Sequence, residues 1–189
     1  SQKPILEVRN LSLFYKKKSV LDDLNLSAAP GEIIGIIGHN GAGKSTFSRT
    51  LCGLHTNYTG QILWDGKELN AKSRLKRSYM VMQDVSYQLF ADTLEKECVF
   101  GIKHPDLDAA KQAMERLGIY EYRTHHPNTL SGGQKQRAAV AVSMVCRKDV
   151  LIFDEPTSGH DYDSMIQVAG LFQTLSKMGK VIFVVTHDY

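Results

Sequence analysis

Gly38 to Ser45 reads G-H-N-G-A-G-K-S and is followed by Thr46. Glycines at this spacing let a backbone close in on an anion with its N–H groups pointing inward. The apolar burst from Glu32 to Ile37 reads as a buried strand, and Lys44 to Leu54 reads as a helix. A phosphate held between them would meet a helix N-terminus, where four N–H groups lack partners and the dipole is positive. In that frame Lys44 supplies a point charge to the β- and γ-phosphates of ATP, and the Ser45 hydroxyl is placed to ligate Mg²⁺. Gly38, His39, Asn40, Gly41, Ala42, Gly43 and Thr46 complete the phosphate cradle. With glycine at about 7% of residues, two fixed glycines match by chance at roughly one start position in two hundred. The lysine, the serine and the strand–helix context lower that rate further, so a chance glycine turn does not account for the pattern.

Val150 to Glu155 reads V-L-I-F-D-E, a buried strand from whose C-terminal end two carboxylates emerge. Ligands bind at that edge of open α/β sheets. Asp154 is assigned to the metal and Glu155 to the general base that orients or deprotonates an attacking water. Alone, such a pair is a common polar strand exit; beside a phosphate loop it is specific. A second glycine motif, L-S-G-G-Q, runs from Leu130 to Gln134 and opens a long helix. Ser131 could cap that helix, but a cap explains neither Gly132 and Gly133 nor the Gln134 that follows them. Bare backbone at a helix start is again suited to an anion.

The elements that must position these residues follow from periodicity. Ile5 to Tyr15 and Val20 to Ala28 read as strands joined across a lysine turn, with further strands at Gln61 to Trp64, Tyr79 to Met82, Val150 to Phe153 and Val181 to Val185. Helical periodicity covers Asp106 to Leu117, Ser131 to Cys146 and about Ser164 to Met178. The expected class is α/β: a P-loop NTPase core with a mixed sheet flanked by helices, an antiparallel β subdomain at the N-terminus and an inserted helical subdomain. The core is expected over 1–83 and 148–189 and the helical subdomain over 84–147, all within one domain of 189 residues.

Composition is ordinary for a globular chain, with 42% hydrophobic and 23% charged residues and a net charge of +3. The basic runs Lys16-Lys17-Lys18 and Lys72/Arg74/Lys76/Arg77 are short and separate, which reads as solvated faces and not as a nucleic-acid surface. Cys52, Cys98 and Cys146 lack metal spacing and read as buried free thiols. No signal peptide is evident. The longest apolar run, Ala138 to Cys146, is far short of the roughly 20 residues a membrane span needs, so a membrane role requires a partner.

Taken together, these motifs make the sequence similar to the nucleotide-binding domain of ABC ATPases along nearly the whole chain. Gln83 lies after a strand where that family has its Q-loop, His187 in V-V-T-H-D takes the place of the switch histidine, and Tyr15 that of the aromatic stacked on adenine. The residues alone leave Phe14 as a rival to Tyr15; Val20 is expected beside the adenine. The resemblance implies a head-to-tail dimer, homo- or heteromeric, in which each ATP lies between one subunit's phosphate loop and the Ser131, Gly132, Gly133 and Gln134 of the other. Gln83 would touch Mg²⁺ or the attacking water, His187 would contact the γ-phosphate, and Asp161 would belong to the D-loop.

The stretch after Gln83, with Gln88-Leu89-Phe90, Thr93-Leu94-Glu95 and Phe100-Gly101, resembles the ATPases of energy-coupling factor importers for vitamins or cobalt and nickel. That resemblance implies an ATP-hydrolysing importer motor, peripheral at the cytoplasmic face of the membrane. A transmembrane coupling subunit would contact the Gln83 to Phe90 region. His160 stands where the family has leucine and His39 where proline is common, and the chain ends sooner after the histidine than the family does, as a trimmed piece, one half of a tandem ATPase or a chain without its disordered tail would. Two other functional classes fit the sequence less well. A soluble ABC ATPase of DNA repair needs a long coiled coil that the interval from Lys44 to Leu130 cannot hold, and a ribosome-associated one needs two cassettes. A non-catalytic nucleotide-binding module would be expected to lose Glu155 and His187, and both are present.

Overall fold

Alternation of apolar residues over Leu6–Tyr15 (β1) buries Leu6, Val8, Leu11 and Leu13. β1 pairs antiparallel with β2 (Lys18–Ala28), and Tyr15 faces Lys18 across the turn. Lys16 and Lys17 both sit at positive φ, 50° and 65°, the geometry of a type I′ hairpin whose twist matches the strands. The computed structural model describes residues 2–38, 41–154 and 162–187.

After β3 (Ile33–Gly38) comes α1 (Gly41–Leu51). This helix starts earlier than the expected Lys44, because the glycines of the loop are already helical. It also stops earlier than Leu54. Gly53, at φ 75°, donates to the Thr50 carbonyl at 3.1 Å, and Leu54 donates to that of Arg49 at 2.8 Å. That is a Schellman termination, which a side chain at Gly53 would obstruct through the Ala71 carbonyl oxygen.

β4 (Tyr58–Trp64) and β5 (Lys67–Glu68) complete a four-stranded antiparallel sheet in the order β2-β1-β4-β5. Next comes α2 (Ala71–Arg77), absent from the sequence reading and capped by Asn70, whose Oδ1 accepts from Ser73 N–H at 2.8 Å. It corrects the view of Lys72/Arg74/Lys76/Arg77 as a solvated run. Arg74 is only 3% exposed and donates to the carbonyls of Thr50 (3.0 Å) and Leu69 (2.9 Å) and to the Tyr58 hydroxyl (3.2 Å). A guanidinium fork can be buried when its donors are matched in this way. Arg77 pairs with Asp65 and Asp149 at 2.9 and 2.8 Å, and it stacks over Trp64.

β6 (Ser78–Val81), β7 (Val150–Asp154) and β8 (Val181–His187) join β3 in a second sheet, ordered β3-β8-β7-β6. Both β3–β8 and β7–β8 are parallel. The core of this part draws on both sheets and on α1: Trp64, Phe47, Leu51, Ile152, Phe183 and Val185 are all buried in one cluster, and Phe47 meets Phe183 edge-on at 5.7 Å.

The remaining helices are α3 (Leu94–Cys98), α4 (Leu107–Arg116), α5 (Gly132–Val145) and α6 (Tyr162–Lys177). α5 packs against α3, α4 and a 3₁₀ turn at Val85–Gln88. The chain divides into two compact units, one holding residues 1–80, 149–155 and 172–189, the other 81–148 and 156–171. Cys52 and Cys98 are buried as expected, whereas Cys146 at the end of α5 is only half-buried.

Candidate functional site

Within the first unit, the phosphate loop bridges β3 and α1. The parallel register sets Ile37 beside Thr186 and Gly38 beside His187, and it sets Asp154 beside Val185. Three elements named from sequence, the loop, the Asp154 strand end and the His187 strand end, are thereby gathered on one C-terminal sheet edge. α1 has no acidic residue in its first turn, so nothing there offsets the positive end of its dipole. Lys44 is 5% exposed, and its Nζ donates to the Thr186 carbonyl at 2.7 Å. A buried ammonium oriented by backbone at this edge is suited to a point contact with a phosphate oxygen. Ser45 is exposed one residue on, and Thr46 is buried.

Mg²⁺ prefers hard oxygen donors, few of them from protein, with phosphate oxygens and water filling the rest. The Ser45 hydroxyl, early in α1, and the Asp154 carboxylate, at the end of β7, are both of that donor type. No cluster of three or more His, Cys, Asp or Glu exists among the described residues. His39, Asn40, Glu155, His160 and Asp161 lie outside the described residues, as does the side chain of His187.

Tyr15 ends β1 with half its surface exposed, and the Lys16 Nζ lies 5.6 Å from its ring centroid. Phe14 is half-buried. Of the two rings left open by the alternation, Tyr15 is the one with an accessible face. Val20 packs against the core cluster from its edge.

In the second unit, Gln83 is exposed between β6 and the 3₁₀ turn. Its loop is closed by side chains: Gln88 Oε1 accepts from Met82 N–H at 2.7 Å, and Asp84 Oδ1 accepts from Ser86 N–H at 3.0 Å. The L-S-G-G-Q segment forms the start of α5 as a reciprocal capping box. Ser131 Oγ accepts from Gln134 N–H at 3.2 Å, and Gln134 Oε1 accepts from Ser131 N–H at 2.9 Å. Ser131 and Gly132 are exposed. The capping box explains Gln134 locally, which the sequence reading had not seen. Tyr122, hydrogen-bonded first to Glu121 and also to Gln134, has its phenol pushed above the ordinary value, chiefly by the Glu121 carboxylate. Gly133 faces Gln167 of α6, whose Oε1 would lie 2.9 Å from any added Cβ.

Two further features were missed. Glu97 is 4% exposed, and its carboxylate accepts N–H donations from Phe90 (3.0 and 3.1 Å) and Ala91 (2.6 Å). The loop so held leaves Phe90 71% and Phe100 62% exposed, their rings 6.5 Å apart. The second is a bond from Lys135 to Ser86, whose signal was a lysine where a helix dipole opposes one.

Comparison with known proteins agrees with this arrangement. A family model described as ABC transporter matches residues 21–158. Two proteins of Treponema denticola described as ABC transporter ATP-binding proteins are similar: one is 48% identical over 181 residues, covering 96% of this chain and 37% of that protein. The other is 38% identical over 192 residues, covering 100% and 39%. The chain thus spans a little over a third of the length of these relatives. Among solved structures, CbiO1 from Clostridium perfringens, part of the ABC transporter complex CbiONQ, superposes with a TM-score of 0.89 at 30% identity over 99% of this chain and 80% of that one. A bacterial Atm1-family ABC exporter solved with ATP bound superposes at 0.76 with 26% identity, over 98% of this chain and 35% of that one.

Proposed function

Since the chain belongs to the ABC transporter ATP-binding family, whose members are ATP-hydrolysing enzymes, we propose that it is the motor of a membrane importer. ATP binding drives a head-to-tail pairing of two such domains, and Mg²⁺-dependent hydrolysis releases it. The observation that carries this reading is the Lys44 ammonium, buried and aimed by the Thr186 carbonyl at the sheet edge where Asp154 emerges.

Lys44 binds the β- and γ-phosphates, backbone N–H groups of the loop and α1 cradle them, and Tyr15 stacks on the adenine. Ser45 and Asp154 would hold Mg²⁺, with Gln83 as a further contact, and the charge neutralisation that phosphoryl transfer needs would come from the ion bound there. Glu155 takes the proton of the attacking water, and His187 steadies the γ-phosphate. Exposure of Ser131 and Gly132 at a helix start supports their service to the nucleotide of the paired domain.

The importer side of the reading is supported by Tyr87, Phe90 and Phe100, three exposed aromatics in the segment after Gln83. The Phe90 and Phe100 rings lie 6.5 Å apart, and exposed apolar rings suit an apolar protein partner, here the membrane-embedded coupling subunit. Among the described residues no helix is long and apolar enough to cross a membrane; in this reading the domain works peripherally at the cytoplasmic face, held there by that subunit. The likeness to CbiO1 supports the energy-coupling factor group, with vitamins or cobalt and nickel as cargo class.

The test is Mg²⁺-dependent ATP hydrolysis across a protein concentration series, with Glu155→Gln alongside. Turnover should rise faster than linearly, and the variant should bind ATP, stay paired and turn over little. Wild-type rates in the variant would remove Glu155 as the base.

A further inference from the structure

The first two turns of α5 carry Lys135 and Arg137 and no acidic residue. A helix N-terminus repels cations, so a lysine kept there calls for a partner. Lys135 is half-buried, and its Nζ donates to Ser86 Oγ at 3.0 Å. Ser86 belongs to the 3₁₀ turn that directly follows Gln83 and Asp84. The bonds from Met82 N–H to Gln88 and from Ser86 N–H to Asp84 are local and close the loop upon itself. The bond from Lys135 is different in kind, because it comes from another element and adds a polar tie to the packing of α5 against this turn, in which Val85 is buried. It also starts one residue after the L-S-G-G-Q segment, whose capping box makes the helix start rigid.

We propose that Lys135 is a positioning residue for Gln83, acting through the Ser86 hydroxyl to seat the Gln83 loop on the start of α5. The residue that serves this subunit's nucleotide is then carried by the helix whose opening serves the nucleotide of the paired domain. This rests on the role proposed above for Gln83.

The test uses Lys135→Met, which keeps most of the stem, Ser86→Ala, which removes one hydroxyl, Lys135→Arg, and Gln83→Ala alone and combined with Lys135→Met. ATPase kcat and KM are measured, together with the affinity for a fluorescent ATP analogue. Lys135→Met and Ser86→Ala should each lower kcat about three- to tenfold, as loss of one orienting hydrogen bond does, with KM and analogue affinity unchanged. Lys135→Arg should restore most of the rate. In the Gln83→Ala background Lys135→Met should cost nothing further, because both act on one group. A defect in Gln83→Ala beside wild-type kcat in Lys135→Met and Ser86→Ala overturns the inference alone. So does a Lys135→Met loss that adds in full to that of Gln83→Ala. Wild-type kcat in Gln83→Ala overturns the role of Gln83 itself. Should Lys135→Met fail to fold, Ser86→Ala carries the same comparisons.

Discussion

Gly53 and Gly133 separate a glycine kept for the fold from one kept for a ligand. Gly53 sits at φ 75° with the Ala71 carbonyl oxygen where a Cβ would go. A left-handed alanine there costs about 1–2 kcal/mol, and displacing a backbone carbonyl adds to it, for a total of about 2–4 kcal/mol. At roughly 2–4 °C per kcal/mol for a chain of this size, Gly53→Ala should melt about 5–15 °C lower. Gly133 differs on each count. It lies in the first turn of α5 without a positive φ, and what an added Cβ meets, 2.9 Å away, is the Oε1 of an exposed glutamine. Such a side chain can swing aside. The helix meanwhile gains up to about 1 kcal/mol from replacing glycine. Gly133→Ala should therefore melt at the wild-type temperature or a few degrees above it. If Gly133 is bare so that backbone N–H groups can approach a phosphate, its turnover should nonetheless fall by about 10²-fold, as when one donor to a developing anion is lost. Calorimetry and a coupled ATPase assay on the same preparations decide the matter. A Gly133→Ala protein that melts normally and turns over normally refutes the ligand reading; one that unfolds early refutes the structural reasoning.

Lys44→Ala should weaken ATP binding at least tenfold by titration calorimetry, and unchanged affinity would count against the phosphate-loop role. Glu97→Ala leaves the N–H groups of Phe90 and Ala91 without their acceptor and should cost about 2–3 kcal/mol in urea unfolding. Burial, aided by Glu97, pushes the Cys98 thiol up to about 12 from its usual 9.0. The folded state thus favours the neutral thiol. Stability is intact below the unfolded value near 9.0 and falls as pH rises toward 12, by at most about 1.4 kcal/mol per pH unit. Urea midpoints between pH 7 and 10.5 should show less of this decline in Cys98→Ala than in wild type, and iodoacetamide at pH 8 should modify Cys146 well before Cys98.

The two sheets were legible because their strands carry strong signals: alternation in Leu6–Tyr15, shifted in phase by a bulge between Val8 and Leu11, and apolar runs that fill Val150 to Phe153 and Val181 to Val185. The helix over Leu107–Arg116 was legible to within a residue at each end because Asp106 caps it. α2 was not, since Ala71–Arg77 shows a charged surface by composition, and nothing local reveals that Arg74 turns inward to the end of α1. In the site, Lys44, Ser45 and Asp154 were readable because chemistry dictates their type and spacing. Ser86, Glu97 and Lys135 were not, because their partners lie across the fold or in irregular loops, where sequence carries no period.

The order β3-β8-β7-β6 bears on how the chain is made. β8 lies between β3 and β7 yet follows both in sequence, so β3 has no partner in its sheet, and β7 only β6, until Val181–His187 has left the ribosome. The antiparallel sheet and α1 can form from the first third of the chain, with local contacts that close quickly. The strands bearing Gly38 and Asp154 must meanwhile wait with open, apolar edges, the condition under which nascent chains aggregate or engage chaperones. Translation pauses placed before Val181 should therefore lower soluble yield more than pauses placed soon after β8 has emerged.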